Sequence, residues 1–195
     1  IPFRTAHQSR FSWADFEMRD FPSQSEVFIA TWYQDPVRQI LLRLKFGDSP
    51  DLAEAAATIL FHRLSSLGFD CRSVMAVPLH PVRERDRGYN QAGLIACSLS
   101  RKIGRPDWSA RLIRIRPTER QSSLSGRDIR KINVAGAFRL QQADPCGETD
   151  FAPGLPILLI DDILTTGATL AEAARPLIEH GFSVSGLVVS SERHR

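Results

Sequence analysis

Cysteine is scarce in this sequence. The 195 residues hold three, Cys71, Cys97 and Cys146, an odd number at wide spacings with no C-x-x-C pair. That argues against a zinc ribbon within the chain and reads as buried or free thiols in a reducing cytosol. Long apolar runs are missing as well: none approaches the ~18 residues that cross a bilayer. The opening stretch, IPFRTAHQSRF, has no apolar core, so no signal peptide is expected and the expected location is cytoplasmic. Position 1 is not Met, which leaves room for an upstream module. There is no internal repeat and no low-complexity tract. Net charge is only +3, but it is unevenly spread. Between Arg83 and Lys131 stand 13 Lys/Arg against 5 Asp/Glu, and the remainder is mildly acidic. A basic sector of this kind suits phosphates or nucleic acid.

What is present is enough for one domain with a real core and a small appendage. Apolar residues make up 43% of the chain, as in a globular protein. Half of all Phe, Trp and Tyr lie in residues 1–33, where periodicity is poor and a short strand is expected around Val27–Tyr33. Segment 1–35 is read as an aromatic-rich segment whose rings seal one end of the core, with a hood over the ligand as the alternative, and 36–195 as an α/β domain. Asp35-Pro36 opens a helix carrying Val37, Ile40, Leu41 and Leu44 at helical spacing, stopped by Gly47. Asp51–Leu67 is a second helix ended by Gly68. Val74–Leu79 reads as a parallel strand, followed by a basic loop and a helix from about Asn90 to Lys102. Further strands are expected at Arg111–Ile115, Ala137–Leu140, Leu155–Ile160 and Val184–Ser190. A helix is expected at Thr169–His180, kinked or shortened by Pro176. Strands alternating with helices imply a mostly parallel central sheet covered on both faces, with ligands beyond the carboxyl ends of its strands.

The most informative run is Ile157–Leu170, ILLIDDILTTGATL. An apolar strand delivers Asp161 and Asp162, and then Thr165, Thr166, Gly167, Ala168 and Thr169 open a helix. A helix N-terminus offers unpaired N–H groups and a positive dipole end, which favour a phosphate. The carboxylates beside it accept hydrogen bonds from sugar hydroxyls. The run resembles the phosphoribosyl-pyrophosphate (PRPP) signature of type I phosphoribosyltransferases. Two more blocks join it. VPLHPVRERDRGYNQA, Val77–Ala92, puts His80, Arg83, Arg85, Arg87 and Gly88 at a strand end, where guanidinium forks and an approachable backbone suit an anion. The third block, Arg116–Phe138, is basic and rich in Ser, Thr and Gln, and its Arg116–Asn133 part is expected as a long loop.

The three blocks in this order, with the lead helix LLRLKFGDSPDLAEAAA, resemble the ComF family of competence-associated phosphoribosyltransferase-like proteins over most of Leu41–Val189. Members usually carry an N-terminal four-cysteine zinc module, and this sequence has none. The resemblance implies a type I phosphoribosyltransferase fold. It implies PRPP as ligand, with Asp161 and Asp162 on the ribose or on hydrated Mg2+, and Thr165–Thr169 on the 5-phosphate. It also implies His80, Arg83, Arg85, Arg87 and Gly88 as pyrophosphate candidates. A mobile loop carrying Arg116, Thr118, Gln121, Arg127 and Asn133 would close over the site. Two functions follow from it: transfer of a phosphoribosyl group to an unknown acceptor, or a non-catalytic role in DNA uptake with the basic sector on single-stranded nucleic acid. Acceptor and oligomeric state are left open by the sequence.

Overall fold

The computed structural model describes residues 10–16, 26–47, 49–117, 135–141 and 151–192. Its centre is the apolar run that the sequence singled out. Ile157, Leu158, Leu159 and Ile160 are all fully buried, as a strand covered on both faces must be. Five strands form one sheet: β1 (Arg10–Ser12), β2 (Glu26–Trp32), β3 (Ser73–Ala76), β6 (Pro156–Leu164) and β7 (Ser183–Ser191), in the order β1-β2-β7-β6-β3. Every neighbouring pair is parallel except β1 with β2. The other two strands, β4 (Leu112–Arg114) and β5 (Phe138–Leu140), form a separate antiparallel hairpin.

Each face of the sheet has its own core. One is sealed by α1 (Val37–Phe46), α2 (Leu52–Leu67) and α4 (Gln91–Ile103), which contribute Leu41, Leu44, Ala56, Leu60, Ile95 and Leu99. Alanines at 53, 56 and 57 give α2 a narrow buried face. On the other face lie α5 (Ala168–Glu179), the β4–β5 hairpin and a 3-10 turn at Trp13–Phe16. This is the mostly parallel, doubly covered α/β layout that the sequence and its resemblance implied. The described part of segment 1–35 is built into it: β2 is hydrogen-bonded along β7, and Phe11, Trp13 and Phe28 are buried. No helix among the described residues is long and apolar enough to cross a membrane.

Three local expectations are corrected. The basic stretch after Pro78 is not a loop but a short helix, α3 (Pro81–Arg87), with Pro81 in its first turn and His80 as its cap. Strand β6 does not stop at Ile160 but runs through both acids to Leu164, because β7 goes on pairing with it as far as Ser191. Helix α5 continues past Pro176, which sits buried within it.

Gly186, in the middle of β7, lets α5 approach closely. A Cβ placed there would lie 2.9 Å from Leu170 Cδ2 and 3.4 Å from both Val27 methyls. Gly186→Val is therefore expected to cost about 1–3 kcal/mol by overpacking. Urea denaturation should show a lower midpoint with the slope unchanged.

Candidate functional site

The site is set by a mismatch in strand length. β3 ends at Ala76, opposite Ile160, and its last tie to β6 is Val77 N–H donating to the Ile160 carbonyl at 2.9 Å. β6 runs four residues farther, paired only with β7. Asp161 and Asp162 therefore stand on a strand tip that has lost one neighbour. Each carboxylate folds onto the following backbone: Asp162 N–H donates to Asp161 Oδ1 at 2.8 Å, and Ile163 N–H to Asp162 Oδ1 at 2.7 Å. Lys45, in the last turn of α1, places its Nζ 3.5 Å from Asp162 Oδ2.

Burial, and after it the neighbouring charge of Asp162, push the Asp161 carboxyl up to about 8 from its usual acidic range. The folded chain thus holds a proton that the unfolded chain has released, so stability falls as pH rises from about 4 towards 8. Asp161→Asn removes that penalty. Its melting temperature should match wild type near pH 4 and exceed it by a margin that grows towards pH 8. Differential scanning calorimetry across that range is the check, and a gap that does not widen with pH would contradict it.

Beyond the acids the chain turns through Thr165 and Thr166 into α5. Gly167 takes φ +85°, a left-handed conformation that favours glycine, and it carries the helix N-cap position without a side-chain cap. The first helical bond is Ala171 N–H to the Gly167 carbonyl, and Ala168 N–H makes only a long 3.4 Å contact with Thr166 Oγ1. The opening turn of α5 thus presents backbone donors at the positive end of its dipole, a few residues past the acids.

The basic residues stand at the adjacent strand end. His80 Nδ1 accepts from Val82 N–H at 3.3 Å, so this histidine positions backbone. Helical geometry then separates the arginines. Arg83 and Arg87, four residues apart, share a face with a cleft of about 620 Å3 also lined by Phe46, His80, Val82, Asp86 and Pro117. Arg85 is exposed and does not line it. Gly88 closes α3 at φ +82°. Arg87 is held by Gln91 Oε1 at 2.9 Å and lies 5.5 Å from the centre of the Phe46 ring. Neither the acids nor the threonine turn lines this cleft. Arg116 donates to the Ala135 carbonyl, while Thr118, Gln121, Arg127 and Asn133 lie outside the described residues.

Two residues that the sequence did not single out join the two walls. Lys45 reaches the acids, and its neighbour Phe46 lies on the arginine cleft. Arg114, buried on β4, lies within electrostatic reach of both Arg83 and Asp161. Burial lowers its pKa, Arg83 adds to that, and Asp161 opposes it. Lys45 sits inside the lead-helix motif. No pattern near Arg114 announces an acid 47 positions away.

No family model matches the chain. Curated relatives do. The DNA utilization protein YhgH of Salmonella typhimurium is 32% identical over 154 residues, 76% of this chain and 64% of that protein. Competence protein F of Haemophilus influenzae is 30% identical over 170 residues, 84% of this chain and 71% of that protein. The chain thus spans just under two thirds of the Salmonella relative's length. Among solved structures, adenine phosphoribosyltransferase from Leishmania tarentolae aligns with a TM-score of 0.46 at 13% identity, covering 86% of this chain and 91% of that one. With nearly a third of its residues shared along most of its length with these relatives, the chain belongs to the ComF/YhgH family of competence and DNA-utilization proteins.

Proposed function

We propose that the chain binds PRPP together with Mg2+ at the tip of β6, and that it transfers the phosphoribosyl group to an acceptor with release of pyrophosphate in the cytoplasm. The observation that carries this reading is the pairing of two acids on an overhanging strand tip with a glycine-opened, uncapped helix N-terminus directly after them. Asp161 and Asp162 take the ribose hydroxyls and the hydrated cation. The turn Thr165–Thr169 cradles the 5-phosphate. His80, Arg83, Arg87 and Gly88 stand towards the pyrophosphate, and the exposed Arg85 adds only to the field. The segment carrying Arg116, Thr118, Gln121, Arg127 and Asn133 is assigned the role of a cover over bound substrate on the family resemblance alone.

The donor set fits a cation that arrives with its substrate. Among the described residues no group of three or more His, Cys, Asp or Glu could hold a metal by itself. Mg2+ keeps several waters and needs only one or two carboxylates beside phosphate oxygens. When bound, it supplies positive charge to the leaving diphosphate. The chain's own residues do the rest. As the C1–O bond breaks, its electron pair leaves with pyrophosphate beside Arg83 and Arg87. The sugar carbon turns cation-like beside the two acids, the acceptor's lone pair forms the new bond to it, and the acceptor's proton is released.

The test is to titrate PRPP with Mg2+ into the protein by calorimetry and then to screen bases and amines for pyrophosphate release. Saturable binding with turnover on one acceptor supports the full reading. Failure to bind PRPP ends it. A second reading is non-catalytic handling of single-stranded nucleic acid, in line with the names of the relatives. Phe46 favours it: an exposed ring beside Arg87 is a stacking platform next to cations. Salt-sensitive oligonucleotide binding that survives loss of both acids would select it.

A further inference from the structure

Lys45 is placed to do more than fill space. The last turn of α1 is closed by its own terminal bond and held by two contacts from outside the helix. Tyr89 Oη–H donates to the Leu44 carbonyl at 2.8 Å, Gly47 N–H to the Arg43 carbonyl at 2.8 Å, and Phe46 meets Arg87. From this anchored turn the Lys45 side chain reaches Asp162, with both groups largely shielded from solvent. The separation of 3.5 Å is a charge contact and longer than a well-formed N–H···O bond. An ammonium on a flexible stem is a compact point charge that can leave such a contact without unfolding anything.

We infer that Lys45 is a resident counter-cation that occupies the metal-facing edge of Asp162 and keeps bare divalent ions off the acid pair. The inference rests on the Mg2+–PRPP reading for its purpose. The Asp162 carboxylate, with the Asp161 carboxyl beside it on the same strand tip, would otherwise invite a divalent ion from solution. With the ammonium in place, an arriving ion meets like charge. An ion that arrives on a diphosphate brings polyanionic oxygens to which the ammonium can transfer, so the acids accept metal and sugar phosphate together. Lys45 is in this sense a positioning residue. It selects the metal-loaded substrate over the free metal.

The test needs no PRPP. Mn2+ is titrated into the metal-free protein by calorimetry, with paramagnetic resonance counting the free ion. Lys45→Met and Lys45→Gln should bind Mn2+ at least ~10-fold more tightly than wild type, through removal of a charge beside a partly buried carboxylate. Lys45→Arg should remain at the wild-type level. Adding Asp162→Asn to Lys45→Met should erase the gain. Equal Mn2+ affinity in wild type and Lys45→Met would overturn the inference, and so would a gain that persists without the Asp162 charge. If wild type fails to bind Mg2+–PRPP while this series behaves as stated, the functional reading fails and the counter-cation role stands.

Discussion

Asp161→Asn combined with Asp162→Asn is expected to weaken Mg2+–PRPP binding by more than ~100-fold while leaving the fold intact. Binding of the cation displaces the proton that burial holds on Asp161, so the complex is lined by two charged acceptors, and hydrogen bonds to charged groups contribute roughly 1.5–3 kcal/mol each. At about 1.4 kcal/mol per factor of ten, even the lower bound gives two orders of magnitude. Asparagine is the right replacement because Asp161 Oδ1 and Asp162 Oδ1 also accept from the backbone at the strand tip. An amide oxygen retains that role, whereas alanine would strip it and confuse binding with folding. Calorimetry at pH 8 reads the affinity, and far-ultraviolet dichroism confirms the fold. Unchanged affinity in a folded double variant would remove the ribose assignment altogether.

Trp13→Ala is expected to produce the largest loss of stability, about 3–5 kcal/mol. The ring is 1% exposed and belongs to the core on the α5 face. Its Nε1–H also donates to the Val184 carbonyl at 3.0 Å, tying the beginning of the chain to the start of β7 across 171 positions. Truncation opens a large void and removes that donor. Trp13→Phe keeps most of the packing and loses only the hydrogen bond, so its cost should be close to 1 kcal/mol beyond the volume lost. Guanidinium denaturation of both variants separates the two contributions. A cost below 1 kcal/mol for the alanine variant would mean that residues 10–16 are not docked on the sheet in solution.

Strand β6 was legible because four consecutive apolar residues ending in acids have few other uses in an α/β chain. Its true end was not legible. Asp161 and Asp162 look like a terminus, and what carries the strand past them is pairing with β7, which no local pattern reports. Helix α3 was hidden for a different reason. None of its residues is buried, so it shows no apolar period, and its run of charged residues reads as a loop. That misreading hid the consequence that Arg85 faces away while Arg83 and Arg87 face the cleft. Lys45 and Arg114 were missed because their partners are distant in the chain. Ion pairing between residues 45 and 162 exists only once the sheet has formed. The motif order, by contrast, was legible in full, and it is what the resemblance to the ComF family rested on.

Gly186 carries a meaning beyond its packing. The atom it leaves room for, Leu170 Cδ2, belongs to the first turn of α5, the same turn whose amides face the proposed phosphate. A missing side chain on β7 thus acts as a notch that sets the height of the anion cradle relative to the acids on β6. Widening that residue would press on the Leu170 side chain in that turn as well as strain the core. Under the proposed function, the spacing between sugar and phosphate recognition is governed from beneath, by a residue that touches neither.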